Sequence, residues 1–129
     1  MSRPNPAIET TVLLVDDDNT LRNVLGRLLS RRGYRVIEAV GARPALRIIE
    51  AESVDIIVSD IQMSDGDGFE LIQKLRASES AKPPLIFMSG GVMLSDAEIK
   101  ALGAALFLQK LVSPSELLSA IAGLVSEAA

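Results

Sequence analysis

The feature that most constrains this chain is a set of short, unbroken apolar runs separated by helical patterns. The runs are Val12-Leu13-Leu14-Val15, Ile56-Ile57-Val58, Leu85-Ile86-Phe87-Met88 and Ala105-Leu106-Phe107-Leu108. Each is too short for a helix, and the first three are rich in residues that suit strands. Without polar alternation, such runs fit strands covered on both faces, as in a parallel sheet. Tyr34 to Ala39 is a fifth candidate, and Arg35 and Glu38 within it point to an edge strand. Between the runs lie apolar stripes at helical spacing. They are Leu21, Val24, Leu25, Leu28 and Leu29; Ala45, Leu46 and Ile49; Gly68, Leu71, Ile72 and Leu75; and Leu117, Leu118, Ile121, Leu124 and Val125. A short helix over 95–102 completes five β-α repeats. Such alternation implies an α/β fold with right-handed crossovers and helices on both faces.

The helix boundaries carry their own signals. Asp67 with Glu70, Ser95 with Glu98 and Ser113 with Glu116 have capping-box spacing. Asp18 or Asn19 is placed to cap the first helix. Pro114 falls at a first helical position, where its missing N–H costs nothing. Gly33 and Gly103 are placed to stop the first and fourth helices. The chain of 129 residues is one domain's length. Residues 1–10 read as a flexible N-terminal tail and 11–129 as the folded domain. Ser78 to Pro84 reads as a polar connection inside that domain.

Composition removes several chemistries. The chain has no Cys and no His, which excludes disulfides, thiolate zinc sites and Ser-His or Cys-His catalysis. Carboxylates, hydroxyls and Lys remain. The net charge of −4 and the lack of a basic stripe argue against direct nucleic-acid contact. No apolar run is long enough to span a bilayer, and the N-terminus lacks a signal-peptide core. The expected setting is the cytoplasm.

The polar residues cluster where the strands end. The first strand runs into Asp16-Asp17-Asp18, the third into Ser59-Asp60, the fourth into Ser89-Gly90-Gly91 and the fifth into Gln109-Lys110. Ligands of open α/β sheets bind outside the carboxyl ends of strands, where strand order reverses. If the first and third strands are neighbours there, Asp16, Asp17 and Asp60 converge. Convergent carboxylates either share a proton or hold a hard divalent cation such as Mg²⁺, which favours oxygen ligands. Zinc is disfavoured without His or Cys. Lys110 supplies a point charge suited to a phosphoryl oxygen, and Ser89 supplies a hydroxyl. Asp60, alone at the end of a central strand, is the best candidate nucleophile. Phosphoryl transfer needs little beyond such positioning and charge neutralisation. The plainer readings are turn and cap chemistry for Asp16–Asp18 and Ser89, a solvated Lys110 and a core Phe107. Asp65 and Asp67 read as loop and N-cap residues, and Met63 and Met88 as packing.

The segments VLLVDDD (12–18), IIVSDIQMSDGDGFEL (56–71), LIFMSGG (85–91) and LQK (108–110) together resemble the receiver domain of bacterial response regulators. The resemblance spans about residues 12–126. It implies a flavodoxin-like, doubly wound five-stranded parallel sheet in the order 2-1-3-4-5, flanked by five helices. It implies that Asp60 accepts a phosphoryl group from a sensor histidine kinase or phosphotransfer protein. Asp16, Asp17, Asp60 and the backbone carbonyl of Gln62 would hold Mg²⁺. Lys110 would pair with the phosphoryl group, and Ser89 and Phe107 would form the switch. The surface of the fourth helix, fifth strand and fifth helix would then change for a downstream protein partner. Slow hydrolysis would be tuned at Gln62 and Gly91.

Two departures from the family pattern carry expectations. Leu111 follows Lys110 where Pro is usual. A cis bond before a non-proline residue costs roughly 2.5–4 kcal/mol, so a trans bond and an altered loop are expected. Ser64 replaces the Pro that usually follows the Met, which should loosen the loop after Asp60. Two rival functions stand beside the switch. One is a degenerate receiver that binds partners without phosphorylation. The other is a Mg²⁺-dependent phosphohydrolase, though Gln62 stands where such enzymes usually carry a second acid.

Overall fold

The computed structural model describes residues 10–64, 66–78 and 83–128. Five strands alternate with five helices. They are β1 (Thr11–Val15), α1 (Asn19–Arg31), β2 (Arg35–Ala39), α2 (Ala42–Ala51), β3 (Ile56–Asp60), α3 (Gly68–Ala77), β4 (Leu85–Ser89), α4 (Asp96–Leu102), β5 (Leu106–Gln109) and α5 (Pro114–Ala128). All pairings are parallel, in the order β2-β1-β3-β4-β5.

Period-2 side-chain direction divides the core in two. Leu13, Val15, Ile57 and Phe87 point to one face and pack with Ala45 of α2, Leu71, Ile72 and Leu75 of α3, and Ile99 of α4. Val12, Leu14, Val58, Ile86 and Met88 point to the other and meet Leu25 and Leu29 of α1 and Leu117 and Ile121 of α5. The first three apolar runs are therefore buried on both sides, and β2 is an edge strand, as its charges indicate.

The fourth run behaves differently. In β5 only Leu108 is buried, and Leu106 is exposed. Its composition matches a central strand, but among the described residues no sixth strand pairs with it. Thr10 also departs from the expected tail: it is buried, and its carbonyl accepts the Arg35 N–H at 2.9 Å. The rest of that tail, residues 1–9, lies outside the described residues, as do Asp65 and residues 79–82 of the polar connection.

The caps follow the sequence signals closely. Asp18 accepts from the Leu21 N–H, and Asp67 from the Glu70 N–H. Ser95 and Glu98 form a complete reciprocal box, which supports the seven-residue α4. Ser113 Oγ accepts from the Glu116 N–H at 3.1 Å. Gly103 ends α4 in the left-handed conformation (φ 87°), which favours glycine.

Candidate functional site

The register of β1 on β3 builds the site. Val15 pairs with Ser59, so the next residues, Asp16 and Asp60, stand side by side at the carboxyl end of the sheet. Asp16 is fully buried. Its N–H donates to Ala39 O at 3.1 Å, and its Oδ1 accepts from the Asp18 N–H at 2.9 Å. Asp60 is 8% exposed, and its Oδ1 accepts from the Ile61 N–H at 2.8 Å. The α3 N-terminus presses directly against this strand end. The Gly68 N–H donates to Ile61 O at 2.7 Å, and a Cβ at Gly68 would stand 2.7 Å from Asp60 O. Only glycine fits that approach.

Lys110 enters from the far side. Its own N–H donates to Ser89 O at 2.9 Å, which extends the β4–β5 ladder past the strand. Its Nζ then reaches Asp60 Oδ2 at 3.0 Å and Asp16 Oδ2 at 3.2 Å. Asp17 completes the group at the exposed rim. One carboxylate oxygen from each of Asp16, Asp17 and Asp60 lies within 4.8 Å of the others.

Three carboxylates with one lysine leave an uncompensated negative charge. Burial, the largest influence on Asp16, outweighs its bond to the Asp18 N–H and the nearby Lys110, so its pKa is raised. For Lys110 the largest single influence is also burial, which lowers its pKa. The hydrogen bond to Asp60 and the charges of Asp16 and Asp60 together outweigh it, and the pKa is raised. The ammonium is thus held charged between two acids. The remaining donor set is all oxygen, close-set and anionic, which fits a hard divalent cation.

The structure brings Asp16, Asp17, Asp60 and Lys110 together, and the side chains of the other expected residues make different contacts. Ser89 is buried, but its Oγ accepts from the Gly91 and Val92 N–H groups at 3.2 and 3.1 Å and so faces the following loop. Phe107 is half-buried against the α2–α4 core, on the wall of a surface groove of about 360 Å³ shared with Leu94, Ile99 and Leu106. Gln62 is exposed, and its side chain lies over Gly91, where a Cβ would stand 2.8 Å from Oε1.

One expectation about the loops is corrected. The Lys110–Leu111 bond is cis, not trans. The preference for trans is a local one. Here the Lys110 N–H is tied to β4 and its Nζ to two carboxylates, so tertiary bonds fix the residue on one side of that peptide. Ser64, in the loop expected to be loosened, donates its N–H and Oγ both to Asp17 Oδ2, at 2.9 and 3.2 Å.

Sequence reasoning missed Arg22. This buried guanidinium donates to Asp16 O at 2.6 Å, Asn19 Oδ1 at 2.7 Å and Glu38 Oε1 at 2.8 Å, pinning the backbone behind the acids. Its signal was present: Arg22, Leu25 and Leu29 share one helix face.

A five-stranded parallel sheet in this order, with acids and a lysine at its carboxyl mouth, defines a receiver-type signalling domain. The family model for the response regulator receiver domain matches residues 12–122, and the chain belongs to that family. It is a receiver domain of a two-component response regulator. The transcriptional regulatory protein GlrR of Escherichia coli (strain K12) is 33% identical over 110 residues, 85% of this chain and 25% of that protein. YvrH of Bacillus subtilis (strain 168), also a transcriptional regulatory protein, is 32% identical over 115 residues, 86% of this chain and 47% of that protein. The chain thus spans from a quarter to about half of these relatives' length. Among solved structures, chemotaxis response regulator CheY4 of Vibrio cholerae superposes with a TM-score of 0.80 at 30% identity, covering 89% of this chain and 98% of that one. Among the described residues, no helix is long and apolar enough to cross a membrane.

Proposed function

We propose that Asp60 is the phospho-acceptor of a Mg²⁺-dependent switch, fed by a sensor histidine kinase or a phosphotransfer protein in the cytoplasm. The observation that supports this most directly is Lys110 Nζ bridging Asp16 and Asp60, beside three carboxylate oxygens within 4.8 Å. Asp16, Asp17, Asp60 and the Gln62 carbonyl would hold the ion. Bound there, Mg²⁺ would neutralise charge on the phosphoryl oxygens during transfer.

A carboxylate oxygen of Asp60 attacks the phosphorus of a phosphohistidine. An O–P bond forms, the P–N bond breaks, and the imidazole nitrogen leaves with the electron pair. Asp60 is positioned by its bond to the Ile61 N–H. Lys110 already lies 3.0 Å from the acceptor carboxylate and stays paired with the added charge. Ser89 would give up the Gly91 and Val92 N–H groups to donate to the phosphoryl group. Phe107, lining the groove beside α4, would move inward and change the α4-β5-α5 surface for a downstream protein. The relative NtrC of Rhizobium meliloti is a DNA-binding transcriptional regulator; here no contact with nucleic acid or membrane is assigned to the receiver domain itself.

Incubation with Mg²⁺ and a small phosphodonor, followed by mass measurement, tests the reading. One labile phosphoryl group is expected on the wild-type chain and none on Asp60→Asn. An unmodified wild type that also ignores beryllofluoride would indicate a phosphorylation-independent binding module. Steady phosphate release over many turnovers would indicate a hydrolase.

A further inference from the structure

We infer that Ser64 is a positioning residue for the cation site, holding Asp17 in place; this rests on the proposed Mg²⁺ reading of the acids. Asp16 and Asp60 need no such help. Both are buried, and each is fixed by a backbone N–H and by Lys110. Asp17 is exposed, and Lys110 does not reach it. An exposed carboxylate side chain is free to rotate unless something holds it. The only hydrogen bonds to the Asp17 carboxylate among the described residues come from Ser64, and both end on Oδ2.

This two-donor grip does two things. It selects one orientation of Asp17 before the ion arrives, so that less side-chain freedom is lost on binding. It also ties the β1–α1 loop to the β3–α3 loop across the mouth of the site, 47 residues apart in sequence. One of the two donors is a backbone N–H, which proline lacks. The serine at this position therefore provides a contact that a proline could not. Partners that orient a metal ligand commonly change affinity by about 10–100-fold when removed. An exposed bond pair belongs at the low end of that range.

The test is titration of the full chain with MgCl₂ by calorimetry, with the Asp17 and Ser64 amide signals followed by NMR. Ser64→Thr keeps both donors and should bind like the wild type. Ser64→Ala keeps only the N–H and should bind about threefold more weakly. Ser64→Pro removes both and should bind about tenfold more weakly. Metal-free melting temperatures of the Thr and Ala variants should match the wild type, which separates positioning from folding. Unchanged or tighter binding by both Ser64→Ala and Ser64→Pro would overturn the inference while leaving the acid site intact. A wild type whose Mg²⁺ response is unaltered by Asp17→Asn would overturn both this inference and the cation reading beneath it.

Discussion

The two sides of the sheet's carboxyl mouth are built to different standards. On the β1–β3 side every strand residue is buried, Asp16 and Asp60 are each held by backbone donors, and α3 abuts the strand end so closely that Gly68 has no room for a Cβ. On the β5 side, Leu106 is exposed, Phe107 lines an open groove, and α4 has only seven residues. Ser89 stands between them, buried on β4 but bonded to the loop that follows it. The contrast teaches that the two buried acids, Asp16 and Asp60, stand where packing is tight, whereas Phe107, proposed above as part of the switch, borders the looser side. Electrostatic positioning demands fixed distances, whereas a switch needs two arrangements of similar energy.

The sharpest way to break this contrast is a matched pair of truncations. Ile57→Ala in β3 should lower unfolding stability by about 2–5 kcal/mol in urea denaturation. Leu106→Ala in β5 should change it by about 0.5 kcal/mol or less. Equal effects would remove the distinction. A smaller loss, about 1–3 kcal/mol, is expected from Gly68→Ala, because Asp60 O, Phe87 and Ile61 Cα all crowd the new methyl. The same variant should also weaken phosphorylation, since the strand end must shift.

A further effect has the opposite sign. Asp16→Asn, in metal-free buffer, should stabilise the fold by about 1 kcal/mol, because it removes a buried charge from a group with three acids and one lysine. The pH dependence follows from the raised pKa of Asp16. The folded protein keeps the Asp16 proton at pH values where the unfolded chain has lost it. The unfolded state then binds fewer protons, so stability from this group falls as pH rises from about 3.8 through the folded value. The asparagine variant should lack that component when melting temperature is followed across acidic pH in the presence of a chelator. A wild type and variant with parallel profiles would refute it.

How much was legible from the residues alone varied with the range of the interaction. β1, β3 and β4 were plain in their unbroken apolar runs, and the caps at Asp67, Ser95 and Ser113 in their three-residue spacing. β5 was readable as a strand from its own run, but its place at the edge came only with the order 2-1-3-4-5 that the resemblance implies, because Leu106 and Phe107 look like Ile86 and Phe87 until that order is known. The acids at Asp16, Asp17 and Asp60 were visible as strand-end residues. The grip of Ser64 on Asp17, the rotamer of Ser89 and the cis bond after Lys110 were not, since each depends on atoms far away in sequence or on local preferences that tertiary bonds override. Arg22 was obscured by the apolar stripe around it, although its helix face was readable.

By itself, then, the order of residues determined the alternation of strands and helices, the stops between them, and the placement of acids, hydroxyl and lysine at strand ends. These follow from side-chain periodicity and capping, which act over a few residues. Only the tertiary structure decided that Asp16 and Asp60 share one lysine, that Ser64 holds Asp17, and that β5 stays half-exposed. Those outcomes depend on which strands become neighbours and in what register, and pairing between distant segments is decided by packing of the whole chain.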